Sequence, residues 1–275
     1  MGLPIIALMT DFGLQDPYVG IMKAVILQRV EARLIDLTHD IPAGDIARGA
    51  FVLWQASRYF PENTVFLAVV DPGVGTHRLP AIAEIDGRRF IAPDNGLLSY
   101  VLTENARAWA LANPVFQLPN PSATFHGRDI FAPAAAYAAK GVPGRAFGPL
   151  IPELQRLPTP PCDFADGEVR AQILHADRFG NLITSAGVFQ KDAGEWLLSP
   201  WLGQGKPRYF APAAVRLPDG RAIPVVRTFA EIPEGEVGAL VGSSGMIEIA
   251  ANRRSAAELL GLERGAPIAV LSAMP

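Results

Sequence analysis

The sequence predicts an α/β fold: an N-terminal α/β domain with a central mixed sheet flanked by helices, plus a smaller β-rich, barrel-like C-terminal domain. Three observations carry this. Strand-length apolar runs alternate with helical-period segments through the first seventy residues. Asp86-Gly87 between two apolar-rich segments is a hairpin signal, which makes the sheet mixed rather than wholly parallel. Beyond a proline-rich stretch the helical period gives way to short apolar runs between Gly and Pro turns.

Residues 4–9 form an apolar run cut by Thr10-Asp11-Phe12-Gly13, the pattern of a buried strand ending in a polar turn. Asp16 suits an N-cap and Pro17 the first helical position, with Tyr18, Ile21, Met22, Val25 and Val30 at helical spacing. Arg33–Thr38 reads as the second strand. Asp45 is placed to cap a second helix with Ala47, Ala50, Phe51, Trp54 and Ala56 inward, ended by Pro61. Residues 65–70 are the third strand, residues 81–85 and 88–92 flank the hairpin turn, and residues 129–140 form a helix stopped by Gly141.

Between Gly141 and Pro161 stand Pro143, Pro149, Pro152, Pro158, Pro160 and Pro161, the composition of a semi-rigid linker. The domains are therefore set at 1–161, with the linker from about 141, and 162–275. In the second, Val169, Ala171, Ile173 and His175 alternate with polar or smaller residues in the manner of a half-buried strand. Residues 225–226, 239–241 and 268–271 are further short apolar runs. Ser255 with Glu258 forms a capping-box pattern before a short helix. Residues 194–212, rich in Gly and Pro and carrying Trp196 and Trp201, read as an insertion loop.

A chain of 275 residues, 49% hydrophobic and 19% charged, buries a sizeable core without disulfides. The net charge of -3 and pI of about 5.8 argue against a nucleic-acid partner. The single cysteine, Cys162, can form no internal disulfide and no thiolate zinc site by itself. No basic leader precedes the first apolar run, and no apolar stretch reaches the roughly 18 residues of a membrane span. The expectation is a soluble cytoplasmic protein acting on a small molecule.

Polar groups that follow strands are the natural ligand contacts of an open α/β sheet. Asp11 is one: a carboxylate there can accept both hydroxyls of a ribose, or can simply close a turn. Asp71 is another, entering the loop Pro72-Gly73-Val74-Gly75-Thr76-His77-Arg78. That loop lacks the ending of a phosphate loop and the spacing of a dinucleotide fingerprint. Arg78 is placed to pair with Asp71 and keep it ionised, the bland alternative being a surface ion pair. His126, in Thr124-Phe125-His126-Gly127-Arg128-Asp129 just before a helix, can orient or deprotonate water or serve as a structural histidine. In the second half the polar turns are Asp177-Arg178-Phe179-Gly180-Asn181 and Ser243-Ser244-Gly245. Phe179 can stack on a base and Asn181 can bond its edge; otherwise these are hairpin turns. No cluster has metal-ligand spacing, and no Gly-x-Ser-x-Gly elbow occurs.

Taken in order, Thr10-Asp11-Phe12-Gly13, residues 71–76, Ala92-Pro93-Asp94-Asn95-Gly96, residues 124–129, Phe179-Gly180-Asn181 and residues 243–252 resemble one family across nearly the whole chain. It is the S-adenosyl-L-methionine (SAM) hydrolases, or SAM hydroxide adenosyltransferases, relatives of the SAM-dependent fluorinase and chlorinase. The resemblance implies an α/β domain with a mixed sheet, a smaller β-rich domain, and a trimer that binds SAM between subunits. It assigns Asp11 to the ribose diol, Thr124 and Phe125 to the wall beside the reacting carbon, Asn181 with the backbone near Arg253 to adenine, and Ser243 to the methionine end. Phe12, Gly127, Asp177, Phe179, Ser244 and Asn252 complete the implied substrate-binding set. Halogenases carry tyrosines where this chain has Asp71 and His126, whereas the hydrolases have the Asp, Arg and His that here are Asp71, Arg78 and His126. The fluorinase's halide-binding serine is replaced by Gly127, and its insertion around the Asp86-Gly87 hairpin is missing. Asp177 lies four residues before Asn181 rather than five, and Ser244 stands where the halogenases have arginine.

The resemblance thus implies hydrolysis of SAM to adenosine and L-methionine. A sulfonium leaves as a neutral thioether, so attack at the ribose C5′ calls for a nucleophile rather than an acid, a metal or a cofactor. Asp71, Arg78 and His126 are the group expected to bind, polarise and deprotonate one water. The alternatives are a SAM-dependent chlorinase, opposed by the negative charge of Asp71, and a non-catalytic SAM or adenosine sensor.

Overall fold

The computed structural model describes residues 2–273 and divides into two units, residues 1–157 and 158–275. In the first, β1 (Ile5–Thr10), β2 (Arg33–Thr38), β3 (Val65–Val69), β4 (Pro80–Ile85), β5 (Arg88–Pro93), β6 (Arg107–Ala110) and β7 (Leu150–Ile151) form one sheet in the order β2-β1-β3-β5-β4-β6-β7. β1 pairs in parallel with β2 and β3, and β3 with β5, while β4, β6 and β7 enter antiparallel. The sheet is mixed, as the Asp86-Gly87 hairpin between β4 and β5 requires.

Strand alternation sorts the core into two layers. Ile6 and Leu8 of β1 and Val65, Leu67 and Val69 of β3 face one side, with Met22 and Ile26 of α1 (Tyr18–Leu27) and the alanines of α3 (Ala132–Ala139). Ala7, Met9, Phe66 and Ala68 face the other, against Leu53 of α2 (Ile46–Ser57). Both faces are covered, so the central strands are apolar throughout.

Several local expectations shift. α1 has Pro17, not Asp16, at its N-cap, with no side-chain cap. Its buried residues are Val19, Met22, Val25 and Ile26, and Tyr18 and Ile21 stay exposed. The segment Tyr-Val-Gly-Ile-Met-Lys-Ala-Val-Ile-Leu is apolar nearly all round, so periodicity alone could not choose the face. Asp45 caps α2 through its side chain to the Arg48 N–H, as expected. Leu53 and Gly49 bury more deeply there than Ala47, Trp54 and Ala56. The third helix opens with a π turn over Gly127–Phe131. Pro133 has no N–H to offer the Asp129 carbonyl, which instead accepts from the Leu118 N–H at 2.8 Å. The stretch from Gly141 read as linker is built into the first unit: β7 joins β6, Gln155 N–H donates to Asp94 and Leu157 N–H to Ser99.

The second unit holds β8 (Cys162–Ala165), β9 (Glu168–Ala176), β10 (Leu182–Thr184), β11 (Val188–Asp192), β12 (Glu195–Ser199), β13 (Arg208–Tyr209), β14 (Pro212–Arg216), β15 (Ala222–Val226), β16 (Val237–Val241), β17 (Ile247–Ala251), the short helix α4 (Ala256–Leu260) and β18 (Pro267–Ser272). The ring β10-β17-β16-β15-β14-β18-β9 closes through the β9–β10 pairing, a seven-stranded barrel with β8 added outside β9. On β9 Val169, Ala171, Ile173 and His175 are buried, and so is Leu174, where the register with β10 shifts. Ser255 caps α4 through the Glu258 N–H. Residues 194–212 are not a loop: β12 pairs with β11 on one side and β13 on the other in a separate three-stranded sheet. Its tight turn puts Ala193 at φ 48° before Gly194, a left-handed alanine that composition does not signal.

Candidate active site

Thr10 of β1 and Val69 of β3 are register partners, so the two adjacent strands deliver Asp11 and, one residue further on, Asp71 to the same edge of the sheet. This is the carboxyl edge, where open α/β sheets take ligands. Asp11 Oδ2 accepts from the Gly44 N–H at 2.8 Å, and the turn is completed by Gly13, at φ 67°, donating to the His39 carbonyl at 2.8 Å.

The loop after β3 folds back on itself through Val74 N–H to the Asp71 carbonyl and Thr76 to the Gly73 carbonyl. At Gly75, φ 76°, a Cβ would lie 2.5 Å from the Ala123 carbonyl oxygen. Only glycine lets the loop lie this close to the segment carrying His126. Asp94 and Asn95 pin the two ends of the loop: Asn95 Nδ2 donates to the Val70 carbonyl at 2.9 Å, and Asp94 N–H to the Leu79 carbonyl at 2.8 Å. Burial raises the Asp94 carboxyl above its ordinary pKa, with the Gln155 N–H opposing.

Arg78 is thereby turned onto Asp71. Its Nε donates to Asp71 Oδ1 at 2.9 Å and its Nη2 to Asp71 Oδ2, with side chains only 7% and 4% exposed. The same Nη2 donates to His126 Nδ1 at 2.8 Å. A guanidinium has donors only, so Nδ1 must be the acceptor and the imidazole proton sits on Nε2. Burial, then the charge of Arg78, pushes the His126 pKa below the ordinary value, with Asp71 and Asp129 opposing. The result is a carboxyl, a guanidinium and an imidazole that accepts through Nδ1, in one hydrogen-bonded set. Arg78 also lies over the Phe131 ring at 5.4 Å, and its Nη1 is buried with no hydrogen-bond partner among the described residues.

Beside this set Phe12, Tyr18 and Phe125 meet edge to face, with centroids 5.2 to 6.1 Å apart. Gly127 sits beneath them; a Cβ there would be 3.2 Å from Met22 Sδ, Phe12 Cε2 and Phe125 Cε2. Thr124 is exposed and shares a 3.1 Å hydroxyl contact with Ser122.

In the second unit Asp177 builds its own turn, accepting from the backbone of Phe179 and Asn181 and from Asn181 Nδ2 at 3.0 Å. Asn181 is buried and its amide nitrogen is used on Asp177, while Phe179 is 77% exposed. Asn252 donates to the Ile232 carbonyl at 2.7 Å, and Arg253, at φ 60°, reaches the exposed Glu234. Ser243 is exposed and Ser244 buried at the opposite end of β17 from Asn252 and Arg253. Glu248 of β17 folds over Gly242, and burial together with Asp177 raises its pKa. Among the described residues no group of three His, Cys, Asp or Glu is arranged to hold a metal, and no helix is long and apolar enough to cross a membrane.

Residues 6–148 match the SAM hydroxide adenosyltransferase N-terminal domain, and residues 171–269 match the C-terminal domain of that name. The chain belongs to this family. A relative from Thermus thermophilus named (R)-S-adenosyl-L-methionine hydrolase is 42% identical, over 96% of this chain and 98% of its own length. A fluorinase from an Actinoplanes species is 27% identical, over 99% of each. A solved structure of an uncharacterized conserved protein from Thermotoga maritima superposes with a TM-score of 0.83 at 32% identity, covering 97% of this chain and 99% of that one.

In this member of the family the structure brings Asp71, Arg78 and His126 into one network and sets Asp11, Phe12, Phe125 and Gly127 on the same unit. The same segments also engage Asn95, Tyr18, His39 and Glu248, to which the sequence assigns no functional role. Asn95-Gly96 following a strand was the available signal for the first. The others take part through contacts that local patterns do not announce.

Proposed function

We propose that the chain hydrolyses SAM to adenosine and L-methionine. The observation that carries the reading is the Asp71–Arg78–His126 network, in which three polar side chains are held together where the adjacent strands β1 and β3 end. Its relatives' name supports the (R)-configured sulfonium as the substrate. The fluorinases are more distant by identity, and Asp71 stands where the halogenase pattern has tyrosine.

The division of labour follows from the hydrogen bonds. His126 Nδ1 has its one lone pair committed to Arg78, so His126 orients the water by donating from Nε2. Each Asp71 oxygen accepts one Arg78 hydrogen bond and retains a further lone pair, so Asp71 is the proton acceptor. The water oxygen bonds to C5′ and the C5′–S bond breaks. Its electron pair stays on sulfur, leaving neutral methionine, and the water proton passes through Asp71 to solvent. Opposite charges cancel along this path, which a site with little water favours. No Lewis acid or cofactor enters the balance.

Asp11 is assigned to the ribose diol. Phe12, Thr124, Phe125 and Gly127 are assigned to the wall at the reacting carbon, Phe179, Asn181, Asn252 and Arg253 to adenine, and Asp177, Ser243 and Ser244 to the methionine end. We further propose a cytoplasmic homotrimer with sites shared between subunits. The exposed Tyr18, Ile21 and Leu27 on α1 and Ile35 on the edge strand β2 support an oligomer. Incubation with each sulfonium epimer of SAM in heavy-oxygen water tests the reaction. The expected result is label in the adenosine 5′-hydroxyl, formed from the (R) epimer. Label in methionine, or a 5′-chloro product formed only with chloride, overturns it.

A further inference from the structure

His39 is buried, and the proposed chemistry gives it no part. Its imidazole nevertheless lies in a chain of polar contacts that starts at the surface and ends at the turn carrying Asp11. Lys23 Nζ donates to Asp36 Oδ2 at 2.6 Å, Asp36 Oδ1 lies 3.0 Å from His39 Nε2, and His39 Nδ1 lies 2.9 Å from Thr10 Oγ1. Thr10, fully buried, in turn accepts from the Phe12 N–H at 3.2 Å. The His39 carbonyl also takes the Gly13 N–H. His39 therefore holds the Asp11-Phe12 turn from both sides of the residue pair.

Asp36 Oδ1 faces Nε2 as a charge contact at 3.0 Å, outside hydrogen-bond geometry, and a carboxylate at that distance favours the imidazole proton on Nε2, which leaves Nδ1 to accept from the Thr10 hydroxyl. Thr10, having given its proton, keeps its lone pairs for the Phe12 N–H. If the hydroxyl were unheld at Nδ1, the buried Thr10 would lose the acceptor that His39 gives it and the turn its fixed angle.

We propose that His39, set by Asp36 and acting through Thr10, is a positioning residue that fixes the Asp11-Phe12 turn for recognition of a ribose diol. The inference rests on the assignment of Asp11 to that diol. It does not make His39 a catalytic residue, because nothing places it against the reacting atoms.

The test uses binding of adenosine and of 2′,3′-dideoxyadenosine to the full-length protein, whose ratio a purely structural role would leave alone. Wild type should prefer adenosine. In His39→Asn an amide atom can occupy the Nδ1 position, so the preference should survive. In His39→Gln the amide reaches only the Nε2 position, so the preference should fall by about five- to tenfold, the scale of one hydrogen bond. Thr10→Val should reproduce that loss, and the double variant should add nothing to it. If His39→Gln does not fold, Thr10→Val alone reads the same quantity. A wild type that does not distinguish the two nucleosides overturns the Asp11 assignment and this inference with it. A wild-type preference that His39→Gln or Thr10→Val keeps in full overturns the inference alone.

Discussion

Arg78 touches both Asp71 and His126, so the state of all three is decided at one guanidinium. Asp71→Asn, Arg78→Ala and His126→Ala should each lower kcat by about 10²-fold or more, with smaller effects on KM, in steady-state assays. Arg78→Lys should fare little better, since an ammonium cannot reproduce the two-pronged contact with Asp71. Breaking a buried pair from one side also destabilises by about 3–5 kcal/mol, so thermal unfolding must accompany the kinetics. The pH dependence follows from His126, whose pKa is lowered by burial and by Arg78. Above that lowered value the ring is neutral and Nδ1 can accept from Arg78. Below it Nδ1 carries a proton, the bond is lost and two cations face each other. Activity should therefore hold down to a pH below the ordinary histidine value of about 6.5 before it falls. An acid limb of kcat/KM centred above that value would remove His126 from the role given it. Asp71, Arg78 and His126 were legible in the sequence because each stands at a punctuated position: a strand end, the close of a glycine-rich loop, the start of a helix. His39 was not, because its partner lies 29 positions away and nothing local marks it, and Asn95 shows only as a turn residue before Gly96 while its partner lies 25 positions away.

At the scale of elements, the loop after β3 works because glycine removes an obstacle. Gly75→Ala would set a Cβ 2.5 Å from the Ala123 carbonyl oxygen at a backbone φ of 76°. The left-handed conformation alone costs about 1–2 kcal/mol for a residue with a Cβ. The clash must then push the loop off the segment that carries His126. The expected outcome is a kcat reduced by about tenfold or more with a modest loss of stability. An unchanged kcat in Gly75→Ala would mean that the loop tolerates displacement. What the sequence discloses at this scale depends on how local the cause is. The Asp86-Gly87 hairpin and the caps at Asp45 and Ser255 are written in neighbouring residues and form as read. The face of α1 is not, because the helix is apolar nearly all round and its packing partners on α3 decide which side is buried. The π turn before α3 needs both Pro133 and the distant Leu118 N–H, and only the proline is visible in the sequence. Prolines 143, 149 and 152 suggested a linker, yet the chain can run through them as a short strand because they fall outside the two residues of β7.

For the whole molecule, the assigned groups divide between two units: Asp11, Asp71 and His126 lie before residue 157, and Asn181, Ser243 and Asn252 lie after it. On the proposed assignment a complete site would draw on one unit of each kind, from the same chain or from neighbours. Cyclic symmetry with head-to-tail contacts would give a trimer three equivalent shared sites. Complementation distinguishes the two arrangements. His126→Ala chains have a defective first unit and Asn181→Ala chains a defective second, so each variant alone is inactive. When subunits are reshuffled, some interfaces must join an intact first unit to an intact second unit, and activity should reappear. A random mixture of equal parts places such a pairing at about a quarter of the interfaces, which sets the ceiling of recovery for independent sites. Sedimentation should show a trimer before and after mixing, and exchange should be followed by a tag carried on one variant. Recovery approaching that ceiling fixes the site between subunits. A monomer in sedimentation, or a mixture that stays inactive after proven exchange, means that each chain builds its site alone, and the exposed apolar residues of α1 and β2 then need another partner.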